Sequence, residues 1–309
     1  MSAIEHPSVI AGGRFAPQNV QSIPVDEAGR VMVDELRVML GQLGKDETVL
    51  VSVMAANSET GVLQPLREIG VLTEELGHIF HVDGVQMAGK EPVSMAMIGC
   101  NSMSISSHKI GGPQGVGALI LGKGDFRPIP LLTGGGQESW RRAGTENTAG
   151  IAGFAVAAAQ SIDPAERARI SRLRDHMEER LKQASPEAII FGEDVPRLGN
   201  TTCFAVEGIS AETALINFDL FDVAVSSGSA CSSGKVGASH VLLAMGVPES
   251  LARGAIRISL GWATNDDDVE RFLSAWTKIY KRMKPTQKGE RRFKNNRGQQ
   301  PRINKDALC

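Results

Sequence analysis

The chain has 309 residues, of which 42% are hydrophobic and 22% charged, and its formal net charge at pH 7 is −2. This length allows one or two domains with a large buried core. No apolar run approaches the length of a membrane span, and the N-terminus lacks the charged and then apolar segments of a secretion signal. We therefore expect a cytoplasmic protein whose body binds neither membranes nor nucleic acid.

The C-terminal residues differ in composition from the rest. Residues 281–309 contain ten Lys or Arg and two acidic residues, which leaves the remainder of the chain near −10. After Tyr280 the apolar periodicity ends and Lys, Arg, Gln, Asn and Gly dominate, so we predict a disordered basic tail. Such a tail can contact nucleic acid, but a solvated tail is the favoured interpretation.

The first half of the chain alternates strand and helix patterns. Residues 47–54 predict a strand, and the helix that follows Pro65 has an apolar face of Leu66, Ile69, Leu72 and Leu76. A second strand ends at Asp83, and the apolar run 118–121 predicts another strand. Repeated strand–helix–strand units indicate an α/β fold with a mainly parallel sheet and helices on its faces.

The second half predicts a smaller α/β unit. Residues 151–159 form an Ala-rich helix pattern, and residues 164–181 form a long amphipathic one with Ile170, Leu173, Met177 and Leu181 on one face. Strands are predicted over 200–206 and 255–260, with a short helix over 239–245. We therefore divide the chain into a large domain, 1–163, a small C-terminal domain, 164–280, and the tail, 281–309.

The four cysteines are too few and too scattered for a disulfide framework or a zinc site. Cys100 and Cys203 lie beside or within apolar segments, so we predict that both are buried. Cys309 is terminal and should be exposed. Cys231 is surrounded by Ser, Gly and Ala, which predicts a mobile, accessible thiol; a structural cysteine in a tight turn is the alternative.

One lysine stands in an unusual context, between Ser106-Ser107-His108 and a glycine-rich turn that starts at Gly111. The small neighbours of Lys109 allow the backbone to approach a bulky anionic ligand. Two hydroxyls, an imidazole and free N–H groups could bind a phosphate while the lysine amine condenses with an aldehyde. These are the needs of pyridoxal 5'-phosphate (PLP). A Gly-rich surface loop that contains a lysine by chance is the alternative.

Two further charged residues suit such a site. Asp83 ends a strand, where open α/β sheets bind ligands, and a carboxylate there could face the pyridine nitrogen of PLP; capping of a following helix is the alternative. Arg257 lies in the apolar strand Ile256-Arg257-Ile258, where an unpaired guanidinium would be costly. Its expected anionic partner is a substrate carboxylate or, alternatively, a structural ion pair.

Several blocks occur in the order typical of one family. Together they resemble the NifS/IscS-type cysteine desulfurases, which are class V aminotransferase-like enzymes of PLP-dependent transferase fold type I, from Ile4 to about Trp262. The blocks are Glu5-His6-Pro7, Asn57-Ser58-Glu59-Thr60-Gly61, His81-Val82-Asp83-Gly84-Val85-Gln86, Ser106-Ser107-His108-Lys109, Gly134-Gly135-Gly136-Gln137-Glu138, Arg142-Ala143-Gly144-Thr145-Glu146-Asn147, Ser226-Ser227-Gly228-Ser229-Ala230-Cys231 and Ile256-Arg257-Ile258-Ser259-Leu260-Gly261.

The resemblance implies a reaction and a set of roles. L-cysteine would give L-alanine and a persulfide on Cys231, with Lys109 holding PLP and moving protons, His6 stacking on the ring and assisting proton transfer, and Arg257 and Asn57 binding substrate. Thr145 would bind the phosphate of a partner subunit, which implies a symmetric homodimer. The remaining residues that the resemblance assigns to the cofactor are Asn57, Asp83, Gln86, Ser106, Ser107 and His108.

The resemblance also implies partners and leaves alternatives. The spacing after Cys231 is similar to that of the long-loop subgroup, which transfers sulfur to an acceptor or an iron–sulfur scaffold protein; Cys231 could transiently ligate a [2Fe-2S] cluster, without a permanent metal site. Family members carry a Gly/Ala-Thr-Glu phosphate loop before the Glu5-His6 block, so we expect an N-terminally truncated member with weakened PLP affinity. An inactive remnant that dimerises or binds a partner, and a selenocysteine lyase or other class V lyase, are the alternatives.

Overall fold

Two four-stranded sheets form the framework of this computed structural model, which describes residues 1–44, 46–122, 126–161, 163–228 and 237–284. In the first sheet the strand order is β1-β2-β3-β4. Strands β1 to β3 run parallel and β4 is antiparallel to β3, which confirms the mainly parallel α/β sheet. The strands are β1 (Leu50–Met54), β2 (Ile79–Asp83), β3 (Ser102–Ser106) and β4 (Gly117–Leu121).

The second sheet is antiparallel throughout, in the order β5-β6-β8-β7. Its strands are β5 (Ile189–Ile190), β6 (Thr201–Ala205), β7 (Ser226–Ser227) and β8 (Ile256–Ser259). The two longer strands match the two predicted in this part of the chain to within a residue at each end.

Helices follow the strands of both sheets. They are α1 (Pro7–Ile10), α2 (Val33–Gly41), α3 (Leu66–Glu75), α4 (Met95–Ile98), α5 (Gln137–Trp140), α6 (Thr148–Gln160), α7 (Pro164–Ala184), α8 (Ala211–Asp219), α9 (His240–Ala244), α10 (Glu249–Ala252) and α11 (Asp266–Met283). Short 3-10 turns cover Pro17–Asn19 and Ser107–Ile110. None of the helices in the described ranges is long and apolar enough to cross a bilayer.

The ends of the long helices have local causes. Helix α7 begins at Pro164, and the Asp163 carboxylate accepts a hydrogen bond of 2.8 Å from Ala165 N. Asn265 and Asp268 form a capping box at the start of α11. Helix α11 continues to Met283, three residues into the predicted tail, and ends at its C-cap Lys284; residues 285–309 lie outside the described residues.

The predicted apolar faces are mostly confirmed. All four predicted residues on α7 are buried, and Leu66, Ile69 and Leu72 are buried on α3. Leu76 was wrongly placed on that face: α3 ends at Glu75, and Leu76 stands just beyond it with 44% of its surface exposed. The apolar spacing that predicts helix α3 therefore extends one residue beyond the end of the helix.

Each sheet packs on its own cluster of buried side chains. Val53, Phe80 and Met103 lie in the first cluster, whereas Phe204 meets Trp276 edge to face in the second, with ring centroids 4.9 Å apart. Cys100 and Cys203 are both buried, as predicted. Cys203 belongs to β6 yet packs in the first cluster, so side chains from both sides of residue 163 share one core. The proposed domain division stays a prediction.

Helices α3 and α4 approach closely at Gly70. A Cβ atom on Gly70 would lie 1.8 Å from the carbonyl oxygen of Ile98, whereas one on Gly41, at the end of α2, would meet no atom within 4 Å. Gly70→Ala should therefore lower the free energy of unfolding by about 1–3 kcal/mol or more, because backbone must move. Gly41→Ala, the matched control, should leave it unchanged or raise it by up to about 1 kcal/mol.

Urea unfolding of both variants measures the difference. An equal stability of Gly70→Ala and the original chain would contradict the close contact between α3 and α4.

Candidate active site

The carboxyl ends of the parallel strands bring the predicted residues to one edge of the first sheet. Asp83 ends β2, where its register partners are Met54 of β1 and Ser104 of β3. Strand β3 ends two residues later at Ser106, and the 3-10 turn with Lys109 follows directly. Asp83 and the Lys109 turn are thus neighbours at the edge where open α/β sheets bind their ligands.

The polar groups of the Lys109 turn differ in their exposure to solvent. Lys109 and His108 are exposed, and Ser106 Oγ lies 3.0 Å from His108 Nδ1. Ser107 is fully buried, and its hydroxyl has no hydrogen-bond partner among the described residues. A Cβ on Gly112 would lie 2.3 Å from that hydroxyl, so a larger residue at position 112 would force the Ser107 side chain to move. Ser106 and His108 are open to a ligand, while the predicted role of Ser107 stays a prediction.

Asp83 and Gln86 flank the turn that follows β2. Asp83 is half-buried, and its Oδ1 accepts a hydrogen bond of 3.0 Å from Val85 N. No helix begins directly after β2 in the described residues, so the capping alternative is not found; the bond to Val85 N closes a turn and occupies one carboxylate oxygen at the strand end. Gln86 Oε1 accepts a hydrogen bond of 2.9 Å from Lys90 Nζ.

Asn57 is completely buried in the turn after β1. Its Oδ1 accepts hydrogen bonds from Glu59 N and Thr60 N at 2.9 and 3.0 Å, and its Nδ2 donates to Ile4 O at 3.3 Å. These bonds fasten the N-terminal segment to the end of β1. The cofactor and substrate roles of Asn57 stay predictions.

His6 follows two residues after Ile4 and is exposed. Its Nδ1 accepts a hydrogen bond of 3.2 Å from Ser8 N and caps α1. This bond fixes the ring at the start of α1 and leaves the predicted stacking role untested.

Arg257 reaches the first sheet from the second. Its Nη1 donates to Ser58 O at 3.1 Å, and its buried Nε meets no hydrogen-bond acceptor among the residues that the structure describes. Among the described residues no carboxylate lies within ion-pair distance of Arg257. The structural ion pair that was one alternative is thus not found in the described part of the chain, and the guanidinium retains unused donors for an anion.

Cys231 falls in residues 229–236, outside the described residues, but the flanking residues are fixed beside the site. Gly228 N donates to Ala255 O at 2.8 Å, and Ser226 lies opposite Arg257 in the β7–β8 pair. On the other side, the Ser239 hydroxyl donates to the Glu59 carboxylate.

Helix α9 and the loop before α6 complete the description of the predicted regions. His240 Nε2 stands 2.9 Å from Glu5 O, which attaches α9 to the N-terminal segment. Thr145 is exposed in the loop before α6, and its predicted contribution to a partner's site stays a prediction.

Three residues that the sequence did not assign lie near the site: the buried Glu5 and Glu59 and the half-buried Lys90. The pKa of Glu5 is raised to about 8, mainly by burial, which outweighs the opposing hydrogen bond from Met54 N at 2.6 Å, and also by the charge of Asp83. Burial likewise raises the pKa of Glu59 to about 7, against the effects of Ser239 and Arg257. Burial, followed by the charges of Lys109 and Arg257, lowers the pKa of Lys90 to about 8.

Only two of these three residues could have been recognised from the sequence. Glu5 and Glu59 stand inside the family-like blocks and could have been flagged there, whereas no local pattern marks Lys90.

Comparison with known proteins identifies the family. The sequence profile of aminotransferase class-V matches residues 1–272. The chain belongs to the class V aminotransferases. A cysteine desulfurase of Sinorhizobium fredii is 37% identical over 292 residues, which cover 92% of this chain and 73% of the relative.

Solved structures of class V aminotransferase relatives agree in fold. A NifS-like protein from Rickettsia africae superposes with a TM-score of 0.83 at 39% identity, covering 91% of this chain and 74% of the other. A structure described as SspA in complex with cysteine gives a TM-score of 0.69 at 27% identity, covering 84% and 72%. These similarities confirm the fold type I expectation.

Enzymes of this family depend on PLP. The residues at the sheet edge fit it: a lysine amine, a strand-end carboxylate and a hydroxyl–imidazole pair stand together, and the buried Arg257 Nε has no acceptor in the described ranges. Within the described ranges no group of three or more His, Cys, Asp or Glu residues could hold a metal ion.

The buried Glu5 carboxyl should make stability depend on pH. Its pKa of about 8 in the folded chain exceeds the ordinary 4.5, so the folded state holds the proton more tightly. The free energy of unfolding should therefore fall as the pH rises from about 4.5 to about 8, by at most about 1.4 kcal/mol per pH unit from this group. Glu59 adds a smaller decline, because its pKa is about 7.

Glu5→Gln removes the contribution of Glu5 to this pH dependence. The free energy of unfolding of the variant should therefore rise relative to that of the original chain as the pH increases from 5.5 to 8. Urea unfolding at pH 5.5, 7 and 8 measures the gain, with the exposed Glu27→Gln as control. Parallel pH profiles for Glu5→Gln and the original chain would contradict the prediction.

Proposed function

We propose that this chain is a PLP-dependent cysteine desulfurase, which converts L-cysteine to L-alanine and leaves the sulfur as a persulfide on Cys231. One observation carries the proposal: the Lys109 turn stands at the same sheet edge as Asp83, directly beyond strand β3. The likeness to relatives named cysteine desulfurase supports the choice of reaction.

The same edge would hold the cofactor through four kinds of group. Lys109 would attach it covalently, Asp83 would face the ring nitrogen, Ser106 and His108 would bind the phosphate, and Gln86 would hydrogen-bond a ring substituent. When bound, PLP withdraws electrons from the substrate α-carbon.

The chain's own residues supply the remaining steps. Arg257 holds the substrate carboxylate with its free guanidinium donors, and the Lys109 amine moves protons at the substrate carbons. The Cys231 thiolate attacks the substrate sulfur: a sulfur–sulfur bond forms, the carbon–sulfur bond breaks, and the carbon takes a proton to give alanine. The thiolate and cysteine together become a persulfide and alanine, so no external oxidant is needed.

The persulfide must then pass its sulfur on, so a protein acceptor or an iron–sulfur scaffold is part of the proposal. We also propose a cytoplasmic homodimer in which Thr145 completes the partner's phosphate site. His6 is proposed to stack on the ring and assist proton transfer.

Lys109→Ala should abolish the visible absorbance of covalently held PLP, because no other lysine is proposed to attach the cofactor. Absorbance spectra of the purified protein after incubation with PLP measure this, and Lys182→Ala, which alters a surface lysine, should keep the band. A normal band in Lys109→Ala would overturn the assignment.

Cys231→Ser should bind PLP and L-cysteine yet lower sulfide and alanine production by at least about a hundredfold, because a hydroxyl is a poor nucleophile for sulfur. Both products are measured in the presence of a thiol reductant, with Cys309→Ser as the matched control. Undiminished alanine formation by Cys231→Ser would show that another group accepts the sulfur. PLP binding without alanine formation by the original chain would favour the non-catalytic alternative.

A further inference from the structure

Lys90 lies on a helical turn directly after β2. Met87 N and Ala88 N donate to Gly84 O at 3.1 and 2.9 Å, and Lys90 N donates to Met87 O at 3.0 Å. This winding places residues four apart on the same side of the turn. Lys90 Nζ consequently donates to Gln86 Oε1 at 2.9 Å.

Gly89 brings this turn against the Lys109 turn. Its φ of +75° is in the left-handed region, and a Cβ there would lie 2.6 Å from Ile110 Cγ2. Lys90 directly follows Gly89 in the chain, and Lys109 directly precedes Ile110. The absence of a side chain at position 89 therefore permits the approach that brings Lys90 and Lys109 together.

The ammonium group of Lys90 has no ionic partner within the part of the chain that the structure describes. It is half-buried, and among the residues that the structure describes its one hydrogen-bond acceptor is the neutral Gln86 amide. The pKa of Lys90 falls to about 8 because of burial and then because of Lys109 and Arg257. Lys90, Lys109 and Arg257 thus lie close enough for their charges to interact, and among the described residues no carboxylate is ion-paired to Lys90 or Arg257, an arrangement that favours anionic ligands.

The same bond determines which way the Gln86 amide points. An ammonium group can only donate, so it must meet the amide oxygen and not the amide nitrogen. The amide NH2 group is then left free to donate elsewhere. Without this partner the two ends of the amide would be nearly equivalent in shape.

We propose that Lys90 is a positioning residue of the active site, which orients the Gln86 amide as a hydrogen-bond donor toward the cofactor and adds positive charge beside Lys109 and Arg257. The proposal rests on the proposed function for the identity of the cofactor. The neighbourhood of the two lysines, however, can be tested without any cofactor.

The first experiment uses the cofactor-free full chain. Acetylation of Lys90 with acetic anhydride is followed by mass spectrometry from pH 6 to 10 in the original chain and in Lys109→Met. The midpoint should lie near pH 8 in the original chain and move upward by about half a unit or more in Lys109→Met, because a like charge is removed. Lys278, on α11, is the internal control. An unmoved Lys90 midpoint would overturn the proposed coupling.

The second experiment uses the protein with PLP bound. Lys90→Met should weaken PLP binding about tenfold and move the pH midpoint of the visible absorbance upward, because a nearby positive charge is lost. Lys278→Met removes a lysine charge elsewhere and should change neither quantity. Melting temperatures of the cofactor-free variants separate these effects from lost stability.

A double-mutant cycle then tests the orientation of Gln86. Lys90→Met and Gln86→Leu should together weaken PLP binding by less than the product of their single effects, because both remove the oriented amide donor whereas only Lys90→Met removes the charge. Fully additive losses, with an unmoved absorbance midpoint in Lys90→Met, would overturn the inference while leaving the proposed function intact. If the original chain fails to bind PLP covalently, the proposed function fails, and the acetylation experiment still decides whether Lys90 and Lys109 are coupled.

Discussion

Three strands that run parallel and end at one edge of the first sheet determine where chemistry can take place in this chain. Because β1, β2 and β3 end together, the turn with Asn57, the strand end at Asp83 and the Lys109 turn become neighbours although the sequence separates them. Backbone groups beyond those ends are no longer paired within the sheet, so they and the side chains near them are free to bind a ligand.

The second sheet contributes the arginine that the first sheet lacks at this edge. Arg257 extends from β8 to the carbonyl oxygen of Ser58, and the hydroxyl of Ser239 bonds the Glu59 carboxylate. These two contacts join residues about 180 to 200 positions apart at one turn of the first sheet. A catalytic arrangement made in this way depends on the two sheets keeping their relative positions, which the shared core around Cys203 supports.

Sequence reasoning reached the elements and the motif residues but not their mutual contacts. Helix α7 and the buried cysteines follow from local periodicity and composition, and Lys109 stands out by its neighbours. Lys90 was missed because its importance arises from the contact of Gly89 with Ile110, which no local pattern records. The shifted pKa of Glu5 was equally hidden, since burial is a property of the packed chain.

The way Arg257 is held has a consequence for substrate choice. Its guanidinium donates to a neutral carbonyl oxygen through Nη1, and its buried Nε is unpaired as far as the described part of the chain shows. Under the proposed assignment, the carboxylate of a bound amino acid accepts hydrogen bonds from this guanidinium. A thiol amine such as cysteamine has no carboxylate, so its binding would leave the buried guanidinium without an anionic partner. A site that is left with an unpaired buried donor rejects the shorter analogue more strongly than a merely loose pocket would. Selectivity for α-amino acids would thus arise from the unpaired guanidinium donor of Arg257, which a carboxylate satisfies, and not from the fit of the thiol group.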